Sequence, residues 1–314
     1  LKEQQLQAEA QAWGAPSTLA GVPAATEDDI PVIDLGPLAE GRPEAVAPAL
    51  RRACSEVGFH FVVGHGVPSE RLERGVQAME AFASLAPEAK MRYEMDSGSH
   101  PGGTGYLPLR SFKLPRRKKG NMVESFIVKR EHGPRNVTLE SMPWPSELGP
   151  EWRREVEGYA ASMEALALRM MPAYSLALNE GADWLAPALS SPLWRLRLSR
   201  YPGMAYEDEQ YGIGPHVDTS LLTLLHRAER EPCLVVWSAR TSRWVRAPNR
   251  PGALLVNSGE ILRQISNDTF LSARHYVLNE GAQSRVSLAF FFNATADFRL
   301  SVAPGAGGGP PRYP

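Results

Sequence analysis

His216, Asp218 and His275, with the Arg285-Val286-Ser287 triplet downstream, are the residues of this chain whose types and spacing could do chemistry. Two imidazoles and one carboxylate can hold one face of a divalent ion and leave the opposite positions open, a donor set suited to Fe(II). If His216 and Asp218 lie on a strand or at its end, the two-residue repeat points both side chains to one face. His275 must then arrive from a neighbouring strand, which Leu271 to Leu278 can supply. Arg285 and Ser287 share a face by the same repeat. A guanidinium beside a hydroxyl is a carboxylate clamp, with the fork binding bidentately and the hydroxyl adding a donor. A buried Arg without an anion is costly, so the pair implies a carboxylate ligand. Phe291, four residues past Ser287, falls on the same inward face and is a candidate to line a substrate pocket, or simply barrel core.

For these side chains to converge, the segments carrying them must be neighbouring strands. From Leu193 to Ala296, apolar runs separated by Gly, Pro, Asn and Asp read as strand after strand. Ahead of them, 30–35, 59–63, 105–107 and 123–129 read as further strands. Residues 44–57 have helical spacing at Val46, Leu50, Ala53 and Val57. A second helix runs to Leu85 from Ser69, read as its N-cap, with Leu72, Val76, Met79 and Phe82 as its inner stripe. Residues 150–179 read as one long amphipathic helix, with Gly181 as its stop. The pattern predicts an α+β chain with a double-stranded β-helix (jelly-roll) core, flanking N-terminal helices and one long supporting helix. Residues 1–120 form the N-terminal helical and strand part of one domain, 121–304 the core, and 305–314 a Gly/Pro-rich tail expected to be loose or a linker.

A metal triad followed by a carboxylate clamp resembles the isopenicillin-N-synthase-like branch of the Fe(II)/2-oxoglutarate oxygenases. The resemblance extends in order through Ile30-Pro31-Val32-Ile33-Asp34-Leu35, Gly58-Phe59-His60-Phe61, Gly64-His65-Gly66-Val67 and Tyr201-Pro202. It continues through Leu254-Leu255-Val256-Asn257-Ser258-Gly259-Glu260, Ser266-Asn267-Asp268 and Phe290-Phe291-Phe292. It implies Fe(II) on His216, Asp218 and His275, and 2-oxoglutarate held at its distal carboxylate by Arg285, Ser287 and Tyr201. O2 is the implied co-substrate. Tyr106 and Phe126 match family positions near the pocket mouth, making them candidate substrate-binding residues. The implied reaction is oxidation of an unactivated C–H of a small molecule by hydroxylation, desaturation or cyclisation, in specialised metabolism, with release of succinate and CO2. In isopenicillin N synthase the same Arg-x-Ser binds a substrate carboxylate instead, so a 2-oxoglutarate-independent oxidase is an alternative. A non-catalytic binding protein on the same fold is another. The chain departs from the family at Tyr276, usually Arg, at Ser199, usually Asn, and at Cys233-Leu234-Val235-Val236, usually Gly-Leu-Gln-Val. These departures argue against the substrate of any familiar plant member. Relatives also continue into a C-terminal segment that can cover the active site.

Composition bounds the remaining possibilities. The 314 residues are 43% hydrophobic, enough for a sizeable core. A formal net charge of −1 gives no pull toward nucleic acid or an anionic membrane, so a small-molecule partner is expected. Cys54 and Cys233 are too few for a disulfide framework and suit a reduced compartment, and no apolar run approaches the roughly 20 residues of a membrane span. A cytoplasmic location is the natural expectation. No serine-hydrolase elbow, P-loop or dinucleotide fingerprint occurs. A Zn hydrolase would not need the adjacent clamp. The basic cluster Arg110, Lys113, Arg116, Arg117, Lys118 and Lys119 reads either as a solvated loop or as a lid attracting an anionic ligand.

Overall fold

The computed structural model describes residues 14–95, 102–112, 118–130, 137–203, 205, 207–228, 233–307 and 309–313. Among these residues twelve strands run in chain order as β1 (Val32–Asp34), β2 (Phe59–Val63), β3 (Gly105–Leu107), β4 (Glu124–Arg130), β5 (Leu193–Tyr201) and β6 (Ile213–His216). They continue as β7 (Leu222–Ala228), β8 (Leu234–Ser238), β9 (Arg243–Arg246), β10 (Leu254–Ser258), β11 (His275–Val277) and β12 (Arg285–Asn293). They form two sheets, an eight-stranded one in the order β1-β2-β10-β7-β12-β5-β4-β3 and a four-stranded one in the order β6-β11-β8-β9. This is the expected jelly-roll architecture.

The long strands sort their residues by parity. On β12, Val286, Leu288, Phe290 and Phe292 are buried against the helices, while Arg285, Ser287, Ala289 and Phe291 line the space between the sheets. On β5, Trp194, Leu196 and Leu198 face the helices, and Arg197, Ser199 and Tyr201 face inward. Phe59, Phe61, Leu234, Val236, Leu255 and Val277 fill the rest of the inner core. Nearly every position of these strands is committed to one packed layer, so register is tightly specified.

Among the described residues six α-helices accompany the sheets: α1 (Gly36–Ala39), α2 (Ala47–Glu56), α3 (Ser69–Ala83), α4 (Pro87–Met91), α5 (Gly149–Ala177) and α6 (Glu260–Ile265). α5 is the predicted supporting helix. Its buried Trp152, Val156, Tyr159, Met163 and Met170 belong to the cluster that holds Phe290 and Phe292 of the large sheet. α3 packs so closely that a Cβ at Gly75 would stand 2.6 Å from the Tyr159 ring and 2.7 Å from Leu288. Two terminus readings are corrected. Pro68, in an extended conformation, is the N-cap of α3, and Ser69 is its first helical residue. Asn179, with φ of 61°, turns the chain after α5 ahead of Gly181, using the short amide side chain's tolerance of the left-handed region. Among the described residues no helix is long and apolar enough to cross a membrane.

The C-terminal tail is also corrected. Its described residues are held by specific bonds: Gly305 N–H donates to Glu180 Oε1, and the Thr269 hydroxyl donates to Ala306 O at 2.6 Å. Arg312 donates to Asp268 Oδ2 at 2.9 Å, and the Tyr313 hydroxyl to Asp268 Oδ1 at 2.8 Å.

Candidate active site

The small sheet brings the two histidines together by strand pairing. His216 ends β6, His275 begins β11, and the two are cross-strand partners with ring centroids 4.3 Å apart. Asp218 lies two residues beyond the end of β6. One ligand atom from each of the three residues can be chosen with all of them within 4.8 Å of one another. Asp218 Oδ1 is 3.6 Å from His216 Nε2 and 3.8 Å from His275 Nε2.

Surrounding bonds aim these atoms. His216 Nδ1 lies 2.9 Å from Gly214 O, and His275 Nδ1 lies 3.2 Å from Ala273 O. A carbonyl can only accept, so each Nδ1 carries the proton and each Nε2 presents its lone pair. Asp218 Oδ2 accepts the Thr223 hydroxyl at 2.7 Å and the Asn257 amide at 2.9 Å, which leaves Oδ1 for the histidine side. Burial, joined by the charge of His275, pushes the His216 pKa down to about 4, so the imidazole is neutral at pH 7. Burial alone would raise the Asp218 carboxyl. The neighbouring histidines and the Asn257 and Thr223 bonds nevertheless hold it below the ordinary carboxylate value. The two Nε2 nitrogens and one carboxylate oxygen converge on one point and open to a cavity, which fits Fe(II).

The clamp residues line that same cavity. Arg285 and Tyr201 are cross-strand partners, as are Ser287 and Ser199. The Arg285 guanidinium carbon lies 3.9 Å from the centre of the Tyr201 ring, a cation–π contact that fixes the fork. Arg285 and Ser287 are both buried. Apolar walls come from Phe59, Ile213, Leu225, Leu234 and Val277. Phe291 lines both this chamber and an adjoining outer one.

Tyr106 and Phe126, expected near the pocket mouth, are elsewhere. They pair with each other across β3 and β4 on the helix-facing side of the large sheet. Phe82 of α3 lies 5.4 Å from the Tyr106 ring and 4.8 Å from that of Phe126. Trp152 of α5 meets Phe126 edge-on at 5.4 Å. The Tyr106 hydroxyl donates to buried Glu124 at 3.0 Å. Both are core residues behind the sheet. The inward residues on this stretch have the opposite parity, as Ser125 shows by its contact with Ser199 at 3.0 Å.

Of the basic cluster, Lys113, Arg116 and Arg117 lie outside the described residues. Lys119 pairs with Glu207 at 2.7 Å, Lys118 with Glu209 at 3.2 Å and Arg110 with Glu207 at 3.7 Å, so these three cations face an acidic loop of the same chain. Sequence reasoning missed Thr223 and Asn257, which orient Asp218, and Arg195 and Arg197 on the inward face of β5. Counting back in twos from Tyr201 would have reached both arginines.

Two family models match, one described as non-haem dioxygenase in morphine synthesis N-terminal over residues 30–147 and one as the 2OG-Fe(II) oxygenase superfamily over residues 194–294. The jasmonate-induced oxygenase 4 of Arabidopsis thaliana is 30% identical over 280 residues, covering 88% of this chain and 75% of that protein. The chain belongs to the 2OG-Fe(II) oxygenase superfamily. A homoarginine-6-hydroxylase of Glycine max is 28% identical over 289 residues, covering 85% of this chain and 86% of the relative. A full-length Neurospora crassa protein, solved in complex with alpha-KG, shares the fold with a TM-score of 0.80 at 22% identity, covering 93% of this chain and 94% of that one. The 2OG-Fe(II) oxygenase membership makes this chain a 2-oxoglutarate-dependent dioxygenase that uses Fe(II) and O2 and acts on a small molecule.

Proposed function

We propose that His216, Asp218 and His275 hold the Fe(II) of this dioxygenase, and that Arg285, Ser287 and Tyr201 receive the distal carboxylate of 2-oxoglutarate. The observation that carries the reading is the convergence of the three donor atoms within 4.8 Å, in a cavity that Arg285 and Ser287 also line. Bound there, Fe(II) with 2-oxoglutarate and O2 supplies an oxidative decarboxylation to succinate and CO2, coupled to oxidation of a substrate C–H. The residues of the chain supply the setting. The Gly214 and Ala273 carbonyls fix the imidazole tautomers, and Thr223 and Asn257 hold the Asp218 carboxylate in one orientation. Arg285 provides a fork matched to a carboxylate, stiffened by the Tyr201 ring beneath it. Phe59, Leu225, Leu234 and Val277 exclude water and bring the substrate close to the metal face. Phe291 is proposed as part of the substrate wall. Residues 121–304 are proposed as the oxygenase core, with 1–120 an integral part of the same domain, because β1, β2 and β3 complete the edges of the large sheet.

The test is an anaerobic titration of metal-free protein with Fe(II) and then 2-oxoglutarate, following the visible charge-transfer band of the chelate. The band appears with 2-oxoglutarate and is absent in His216→Ala. Arg285→Ala keeps Fe(II) binding and demands far more 2-oxoglutarate. Tight Fe(II) binding without the band would favour the oxidase reading, and no Fe(II) binding would overturn the site.

A further inference from the structure

The metal chamber opens outward into a second space, bounded by Phe112, Leu193, Arg195, Phe291 and Asn293 and sharing Arg197, His216 and Asp218 with the inner chamber. Its two arginines are chemically unfinished. Arg197 donates its Nε to Ser125 Oγ at 2.9 Å, but its Nη2 is buried and makes no hydrogen bond. Among the described residues Arg195, exposed on this wall, meets no acceptor and no carboxylate. A buried guanidinium nitrogen without an acceptor is costly, and such a cost persists where a ligand relieves it.

Strand geometry separates these arginines from the 2-oxoglutarate clamp. Arg195 pairs with Phe291 in register and Tyr201 with Arg285, at opposite ends of β5. Six residues of extended chain span roughly 20 Å, so one small dicarboxylate on the metal and Arg285 cannot also satisfy Arg195. Two guanidiniums face the single Asp218 carboxylate among the described residues of this outer wall, leaving one net positive charge. The remaining wall includes the aromatic Phe112 and Phe291.

We propose that the organic substrate of this enzyme is a carboxylic acid with an apolar body, its carboxylate received by Arg195 and Arg197 and its body lying along Phe291 and Phe112 toward His216 and Asp218. The proposal rests on the oxygenase site described above. The two arginines orient the substrate by gripping one end, so that the C–H presented to the metal is set by the distance from its carboxylate. A planar carboxylate matches the guanidinium fork.

The test is calorimetric, on the full chain loaded with Mn(II), a redox-silent stand-in for Fe(II), and with 2-oxoglutarate. The probes are benzoate and 3-phenylpropionate, each beside its primary amide, and phenyl phosphate. At least one acid binds about tenfold or more tighter than its amide, the loss of one charge-assisted contact. Arg195→Gln abolishes the preference while leaving amide binding and 2-oxoglutarate affinity unchanged, and Arg195→Lys keeps part of it. Arg197→Gln also weakens acid binding. Equal binding of acid and amide, no acid binding in the millimolar range, or a preference that survives Arg195→Gln would overturn the proposal. Stronger, arginine-dependent binding of phenyl phosphate would overturn the carboxylate assignment. Loss of 2-oxoglutarate affinity in Arg197→Gln without any probe would remove Arg197 from the proposal. Failure of the parent chain to take up 2-oxoglutarate would overturn the oxygenase site itself, and this inference with it.

Discussion

Asp218 uses its two oxygens differently. Oδ2 is held by Thr223 and Asn257, and Oδ1 is left beside both histidines, so the metal-facing geometry depends on residues that do not themselves face the metal. Asn257→Ala is expected to weaken Fe(II) binding by about 10–100-fold with the fold intact, the usual cost of losing such a supporting bond, and Thr223→Val to act the same way. Anaerobic Fe(II) titration of the two variants measures this, and wild-type affinity in both would show that Asp218 needs no such support. The histidines make a separate prediction about acid. Burial pushes His60 down to about 3, and burial with the His275 charge pushes His216 down to about 4. His226 is likewise pushed down to about 4, chiefly by burial. In the unfolded chain each titrates near its ordinary value of 6.5, so between about pH 6.5 and 4 the unfolded state binds more protons than the folded one. The stability these neutral imidazoles contribute is therefore fully present above pH 6.5 and is lost as pH falls through that window. Metal-free protein should show a falling melting temperature from pH 6.5 to 4, with a shallower slope in His216→Gln. A flat profile would contradict the burial of these imidazoles.

At the level of strands, parity decides which side chains reach the chamber. The sequence made that legible on β12, where Arg285, Ser287 and Phe291 alternate with Val286, Phe290 and Phe292, and the inward residues differ in kind from the outward ones. The strand bearing Phe126 gave no such contrast. Glu124 to Lys129 is buried on both faces, and its outward Glu124 is bonded to Lys90 and Arg200, so polar and apolar residues occur on either side. A strand covered on both faces carries no readable alternation, which is why the placement of Tyr106 and Phe126 required the three-dimensional register. Thr223 and Asn257 stayed invisible for a related reason, because a short polar side chain in a strand reads as local until the partner strand is known. The corrected placement is testable. Phe126→Ala should destabilise the protein by about 3–5 kcal/mol, the cost of a large cavity among Phe82, Trp152 and Tyr106. Its affinity for 2-oxoglutarate in the folded fraction should be unchanged. Chemical denaturation beside a 2-oxoglutarate titration separates the two effects, and a loss of ligand affinity without loss of stability would return Phe126 to the pocket.

Across the whole molecule, the C-terminal end of the sequence is tied to the barrel by contacts that composition could not announce. Gly and Pro in the last ten residues suggested a loose tail, yet a tail poor in apolar side chains can still be fixed by hydrogen bonds to a distant loop. Here that loop is the Asn267-Asp268 turn, whose residues have φ of 52° and 65° and project their polar groups toward the tail. Asn267 Oδ1 accepts from Arg312 N–H at 2.9 Å, and Arg263 donates to the Tyr313 hydroxyl at 2.7 Å. Arg263 also grips Glu260 at 2.8 Å and Asp268, so the tail closes a charge network over α6, the helix that follows the Asn257-bearing strand β10. Networks of this kind outweigh isolated surface pairs, and removal of residues 305–314 is expected to cost about 1–3 kcal/mol. For a domain of this size that is a fall of about 2–4 °C in melting temperature per kcal/mol, while Fe(II) and 2-oxoglutarate binding persist because none of the described tail residues lines either chamber. Tyr313→Phe, which deletes only the hydroxyl shared by Arg263 and Asp268, should reproduce part of that fall. A truncated chain with the parent's melting temperature would mean the tail contributes nothing to the fold, and one that no longer binds 2-oxoglutarate would mean that α6 passes the loss on to Asn257 and the Asp218 carboxylate.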